Sequence, residues 1–228
     1  MCWRKQVKRI EFLKSPSPQE ICDLSDCSQE TLVTIWTRQQ AGAIEQLNTR
    51  RILRAEEKHI FPQGCSVGKR RAYDWMRDQM RTHIRGYDGA WPIWASLTPP
   101  DSEKEDLAPG DKVIRARVPK KRLLISFYDY WEHILHCMAL IENHGSWPSC
   151  WPVSPYIDID TAGKHRLDGA NHCITSIPEE ECRESWEKIF ELSLACTEGF
   201  SGGTTLQATL STIYRQDVVY CADRQEKL

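Results

Sequence analysis

The sequence predicts an α+β fold, a single mixed domain of short strands with three main helices. Three observations carry that expectation. Three long segments place apolar residues at helical spacing. Several shorter ones are rich in β-branched and aromatic residues or alternate apolar with polar residues. The two kinds mix without the strict alternation that builds a doubly wound parallel sheet.

The elements follow in chain order. Residues 1–30 alternate basic, Pro/Ser and acidic stretches and read as an N-terminal extension, with room for a short helix over Val7 to Leu13. Thr31 to Arg38 (TLVTIWTR) is β-branched and aromatic and reads as a strand. A short helix follows over Gln40 to Leu47, with Ala43, Ile44 and Leu47 on one face. Phe61 to Gly68 reads as loop.

Lys69 to Ile84 carries the stripe Ala72, Trp75, Met76, Met80 and Ile84, and Gly86 and Gly89 stop that helix. Trp91 to Leu97 reads as a strand, and Thr98 to Asp111 as a polar, Pro-rich surface loop. Lys112 to Val118 alternates Ile114, Ala116 and Val118 with Arg115 and Arg117, the pattern of a half-buried strand. A second strand resumes over Arg122 to Phe127.

Asp129 to Glu142 places Trp131, Ile134, Leu135, Met138 and Ile141 on one stripe, with Ser126 or Asp129 as the cap and Gly145 as the stop. Residues 144–178 form a long aromatic, Pro-containing loop. Glu179 to Leu194 is the third helix. Strands over Thr204 to Leu210 and Val218 to Cys221 close the domain, and residues 223–228 form a tail. The domain itself spans 31–222.

Composition excludes several classes. Of 228 residues 40% are hydrophobic and 27% charged, enough apolar mass for a core. Thirty Lys and Arg face 32 Asp and Glu, and the net charge of -2 argues against a globally basic nucleic-acid binder. No apolar run approaches the roughly 20 residues of a membrane helix. The basic N-terminus lacks the apolar stretch of a secretory signal, so a soluble cytoplasmic protein is expected. In that compartment the ten cysteines are read as reduced, with no disulfide-linked partner.

Six phrases occur together in order: TIWTRQ (34–39), AYDWM (72–76), PIWAS (92–96), VPKKRLLISFYDYWEHIL (118–135), SWEKIFEL (185–192) and LQATLSTIY (206–214). Their order and spacing resemble a bacterial family, domain of unknown function 3841, over roughly Thr31 to Cys221. The chain departs from that family's pattern at three places. The family usually has Trp where Ser96 stands, Asp where Phe127 stands and His where Glu132 stands.

A fainter resemblance is to ADP-ribosyltransferase-like proteins. These cradle NAD in a cleft between two small sheets, with motifs on an early strand, at a middle aromatic position and on a late strand. It implies Thr37 and Gln39, then Tyr73, as contacts to NAD or a related nucleotide, and Gln207 at the catalytic position. By alternation Gln207 points away from Leu206, Ala208 and Leu210, into solvent or a cleft. Its amide supplies hydrogen bonds but lacks the carboxylate charge that would stabilise a ribosyl cation. Enzymatic activity is therefore left open. The competing expectation is a non-enzymatic binding or regulatory module whose nine tryptophans are core.

Other constellations carry less. His133 and Cys137 share a helical face, with Cys150, His172 or Cys173 as further zinc ligands, but no CxxC occurs and no metal is expected. Asp158 and Asp160 put two carboxylates on one side of an extended segment, most simply a solvated edge. The run Lys69, Arg70, Arg71, with Arg77, Arg81 and Arg85, makes one helix basic and reads as a solvated face. Neither GxxxxGK[ST] nor GxGxxG is present.

Overall fold

Seven strands form the main sheet of a mixed helix and strand fold, seen in a computed structural model that describes residues 7–61, 67–100, 111–136, 140–143, 146–149, 179–196 and 205–222. The N-terminal stretch begins with strand β1 (Arg9–Ile10) and helix α1 (Pro18–Asp26), so a strand replaces the short helix expected over Val7 to Leu13. The stretch also contributes core, because Phe12, Ile21 and Leu24 are buried.

Helix α1 starts where chemistry favours it. Pro18 supplies a fitted φ, and Ser17 and Glu20 cap reciprocally: Glu20 N donates to Ser17 Oγ at 3.4 Å and Ser17 N donates to Glu20 Oε2 at 2.7 Å. Those bonds from Ser17 hold the Glu20 carboxyl below its ordinary pKa. Replacing Ser17 with alanine is expected to cost about 1 kcal/mol in urea titrations at neutral pH. A carboxyl lowered in the folded state stabilises above its unfolded pKa, so the difference between the two proteins shrinks as pH falls through the folded value.

Next come strand β2 (Leu32–Gln39), helix α2 (Ala41–Arg50), the short pair β3 (Ile52–Leu53) and α3 (Glu57–Ile60), and the long helix α4 (Val67–His83). The α4 stripe is buried as its spacing predicts, and the chain leaves it through Gly86 and Gly89 at φ 78 and 81. Strands β4 (Ile93–Ser96), β5 (Lys112–Pro119) and β6 (Leu124–Phe127) follow, with one 3₁₀ turn at Lys120–Arg122.

Helix α5 (Tyr128–Leu135) ends earlier than expected, and Ile141–Asn143 is strand β7, paired with β8 (Ser146–Ser149). Neither Ser126 nor Asp129 caps α5; Phe127 holds the cap position without a side-chain bond. The third helix is also shorter, as α6 (Glu179–Ser185) tightens into 3₁₀ turns at Trp186–Phe190 and Leu192–Cys196. Strands β9 (Leu206–Leu210), β10 (Ile213–Tyr214) and β11 (Val218–Ala222) complete the described chain.

The sheet order is β11-β5-β2-β4-β9-β6, with β1 parallel on β2. Register sorts the side chains by face. Ile35 lies opposite Ala116, Ala95 opposite Ala208, and Ala208 opposite Ile125, so these share one buried apolar face. Trp36, Ser96, Gln207 and Ser126 form a continuous row across the other face. Alternation makes β9 a half-buried strand, but all five of its residues are buried, so the sheet is covered on both faces there.

Among the described cysteines Cys27, Cys182 and Cys221 lie outside any disulfide, as the reduced reading expects, whereas Cys22 is disulfide-bonded, which corrects that reading at its position. No described helix is long and apolar enough to cross a membrane.

Candidate functional site

Strand β2 pairs unevenly along one edge. Leu32 and Val33 pair with β1, and Trp36 alone registers with β4, opposite Ser96. Beyond Trp36 the β2 tail stays registered with β5, through Gln39 opposite Lys112. Strand β4 stays with β9. A cleft of about 470 Å³ lies over this junction, lined by Trp36, Thr37, Arg38, Trp94, Ala95, Ser96, Pro100, Val113, Tyr128, Thr205, Leu206 and Gln207.

Gln207 stands in the middle of the polar row. Only 4% exposed, it donates from Nε2 to Ser126 Oγ at 3.2 Å. That bond orients the carboxamide between the Ser96 and Ser126 positions of the row. Ser96 sits beside it, its hydroxyl 3.0 Å from Thr98 Oγ1 and accepting from Thr98 N.

Thr37 also lines the cleft, but its hydroxyl is used within the protein, donating to the Trp94 carbonyl at 2.7 Å. Gln39 lies behind it, donating from Nε2 to Thr37 Oγ1 at 2.8 Å. Alternation explains both. Thr37 is in phase with Val33 and Ile35 and opposite Ile114, on the apolar face. The side chain in phase with Trp36 is Arg38.

Tyr73 does not line the cleft. Its ring meets Trp94 at 6.0 Å, Trp131 at 5.6 Å and Phe61 at 5.4 Å between centroids, all edge to face. Trp131 in turn lies 4.3 Å from Trp94. Tyr73 is therefore part of an aromatic buttress behind a cleft wall, rather than the wall itself.

Tyr128, at the start of α5, forms the far side. Its hydroxyl donates to Glu132 Oε1 at 2.9 Å. The hydrogen bond to that carboxylate, and then burial, push the phenol above its ordinary pKa, so it stays a protonated donor at neutral pH. Burial, reinforced by the Glu132 charge, also raises the Asp129 carboxyl. Both lining tryptophans, Trp36 and Trp94, bury indole N–H groups that have no hydrogen-bond partner among the described residues.

The structure thus brings Thr37 and Gln207 to one cleft, ties Gln39 to its margin and withdraws Tyr73 from it. Arg38, Trp94 and Tyr128 were not singled out from sequence. For Arg38 the signal was present, since residues 33, 35 and 37 set the phase that turns residue 38 the other way.

The other candidate clusters add little. His133 Nδ1 lies 2.8 Å from the Asp129 carbonyl. No group of three or more metal-ligating side chains occurs among the described residues. Cys137, Cys150, His172, Cys173, Asp158 and Asp160 lie outside them. On the basic helix Arg77 and Arg81 pair with Asp74 and Asp78.

The three positions that depart from the family pattern fall on or near this region. Ser96 lines the cleft, Glu132 holds Tyr128, and Phe127 is buried in the core. No curated protein and no solved structure matches the chain. Residues 34–219 match the family model described as Domain of unknown function (DUF3841), and the chain belongs to that family.

Proposed function

We propose that the cleft at the β2–β4 junction binds NAD or a related nucleotide, in a cytoplasmic protein whose working domain spans 31–222. The observation that carries this reading is that Thr37 and Gln207, far apart in sequence, line one cleft with two tryptophans. Indole faces suit a base or a nicotinamide ring, and an oriented amide suits its polar edge. Of the three positions that the resemblance to ADP-ribosyltransferase-like proteins implies, the early strand tip and the late strand amide meet at this cleft, while the middle aromatic, Tyr73, stays behind its wall.

Binding is better supported than transfer. Among the described lining residues there is no carboxylate, and Gln207 offers no negative charge to a ribosyl cation. A second reading, a regulatory module with tryptophan as core, draws support from the burial of Trp75, Trp131 and Trp186. It is compatible with a ligand-binding cleft and differs in predicting no nucleotide affinity.

Calorimetric titration with NAD separates them. The expected result is saturable heat and a thermal upshift in wild type. In Gln207→Ala the affinity falls about tenfold, near 1.4 kcal/mol, with the far-UV spectrum unchanged. Neither heat nor thermal shift at millimolar NAD would sink the nucleotide reading. Release of free nicotinamide, followed chromatographically, would instead show that the cleft supports transfer.

A further inference from the structure

Arg38 is the one charged side chain among the described residues that line the cleft. Its side chain is 40% exposed, while that of its partner Asp111 is only 12% exposed. The contact between them is a single bond, Arg38 Nε donating to Asp111 Oδ2 at 2.8 Å. It engages a single N–H of the guanidinium. The edge formed by Nη1 and Nη2 has no partner among the described residues, and two parallel N–H donors are the arrangement that takes a phosphate bidentately.

The cleft is also polarised along its length. From Arg38 on β2 it crosses β4 and β9 to Tyr128, three strand spacings away, on the order of 14 Å. At that far end the acidic groups are Glu132, bonded to Tyr128, and Asp129 beside it. A ligand with an anionic end therefore has one favourable direction.

We infer that the ligand carries a phosphate held by the Nη edge of Arg38, with its sugar and base laid across Trp94 and Gln207 toward Tyr128. This rests on the nucleotide reading above and adds the charged group, the residue that takes it and the direction in which the ligand lies. Asp111 is a positioning residue, acting through Arg38.

The test is calorimetry at fixed ionic strength with two matched pairs, AMP against adenosine and nicotinamide mononucleotide against its riboside, and with inorganic pyrophosphate alone. In wild type the phosphorylated member of a binding pair is expected to bind at least tenfold more tightly. Arg38→Met brings that ratio to within twofold while leaving nucleoside affinity within twofold of wild type. Arg38→Lys keeps charge but loses the fork, and restores part of the ratio. Tyr128→Phe weakens both members alike and leaves the ratio intact.

Equal binding of nucleoside and nucleotide to wild type would overturn the phosphate assignment and leave the cleft a nucleoside site. A ratio that persists in Arg38→Met would overturn the assignment to Arg38. If pyrophosphate binds wild type but not Arg38→Met, and no nucleoside or nucleotide binds, the nucleotide reading fails and the phosphate site stands. Silence from every probe sinks both.

Discussion

Replacing Trp131 with alanine is expected to lower the unfolding free energy by about 3–5 kcal/mol, the range for truncating a large buried aromatic side chain. Trp131 is 4% exposed and leans on Trp94 at 4.3 Å and Tyr73 at 5.6 Å. Its removal opens a void between α4, α5 and the sheet, and takes away the support of a cleft-lining ring. In a chain of this size each kcal/mol shifts the melting temperature by roughly 2–4 °C, so a drop on the order of 10 °C should appear in a thermal scan. Trp131→Phe keeps an aromatic ring at the contact and should lose less than half as much. Tyr73→Phe keeps every ring contact and should stay within about 1 kcal/mol of wild type. A loss under about 1 kcal/mol in Trp131→Ala would show that Trp94 stands without its buttress.

That cluster also marks where the sequence was legible. The α4 stripe, Ala72, Trp75, Met76, Met80 and Ile84, could be read directly because helix periodicity is local and its burial follows. The α5 stripe misled. Its spacing runs on through Met138 to Ile141, yet the helix closes at Leu135. There the His136 amide donates to both His133 and Ile134 carbonyls, and the Leu140 amide is taken by Ser185 Oγ at 2.9 Å. A hydroxyl forty-five positions downstream is invisible to a local pattern. The third helix failed for a related reason: Trp186 and Ile189 are buried in a tightened 3₁₀ turn, which the apolar spacing alone does not distinguish from α.

The candidate cleft was half legible in the same sense. Gln207 could be singled out by alternation, but its surroundings depend on β9 lying between β4 and β6, a non-local fact. On β2 the polar tip drew attention to Thr37 and Gln39. Pairing with β5 sets Thr37 opposite Ile114 and Arg38 opposite Val113, and it is Arg38 that turns toward the cleft side.

Asp217→Ala is expected to cost about 2–3 kcal/mol, through a corner that no sequence pattern announced. Asp217 is 7% exposed and accepts from Arg122 at 2.9 Å and from the Tyr214 amide at 2.9 Å. Arg122 also donates to the Thr212 carbonyl at 2.9 Å and lies over the Tyr214 ring at 4.5 Å. These bonds tie the turn after β9 to the turn between β5 and β6, while β10 pairs with β3. Truncating one partner of a buried pair typically costs 3–5 kcal/mol because the other charge is stranded. Arg122 is about a quarter exposed, so water relieves part of that penalty and the lower figure applies. Asp217→Asn keeps an acceptor for the Tyr214 amide and should lose roughly half as much. Arg122→Met removes the charge that would otherwise be stranded. In the double variant the Asp217 loss should shrink, and a urea-based cycle should give a coupling of about 1–2 kcal/mol. Additive single losses would mean that the carboxylate serves only the backbone of its own turn.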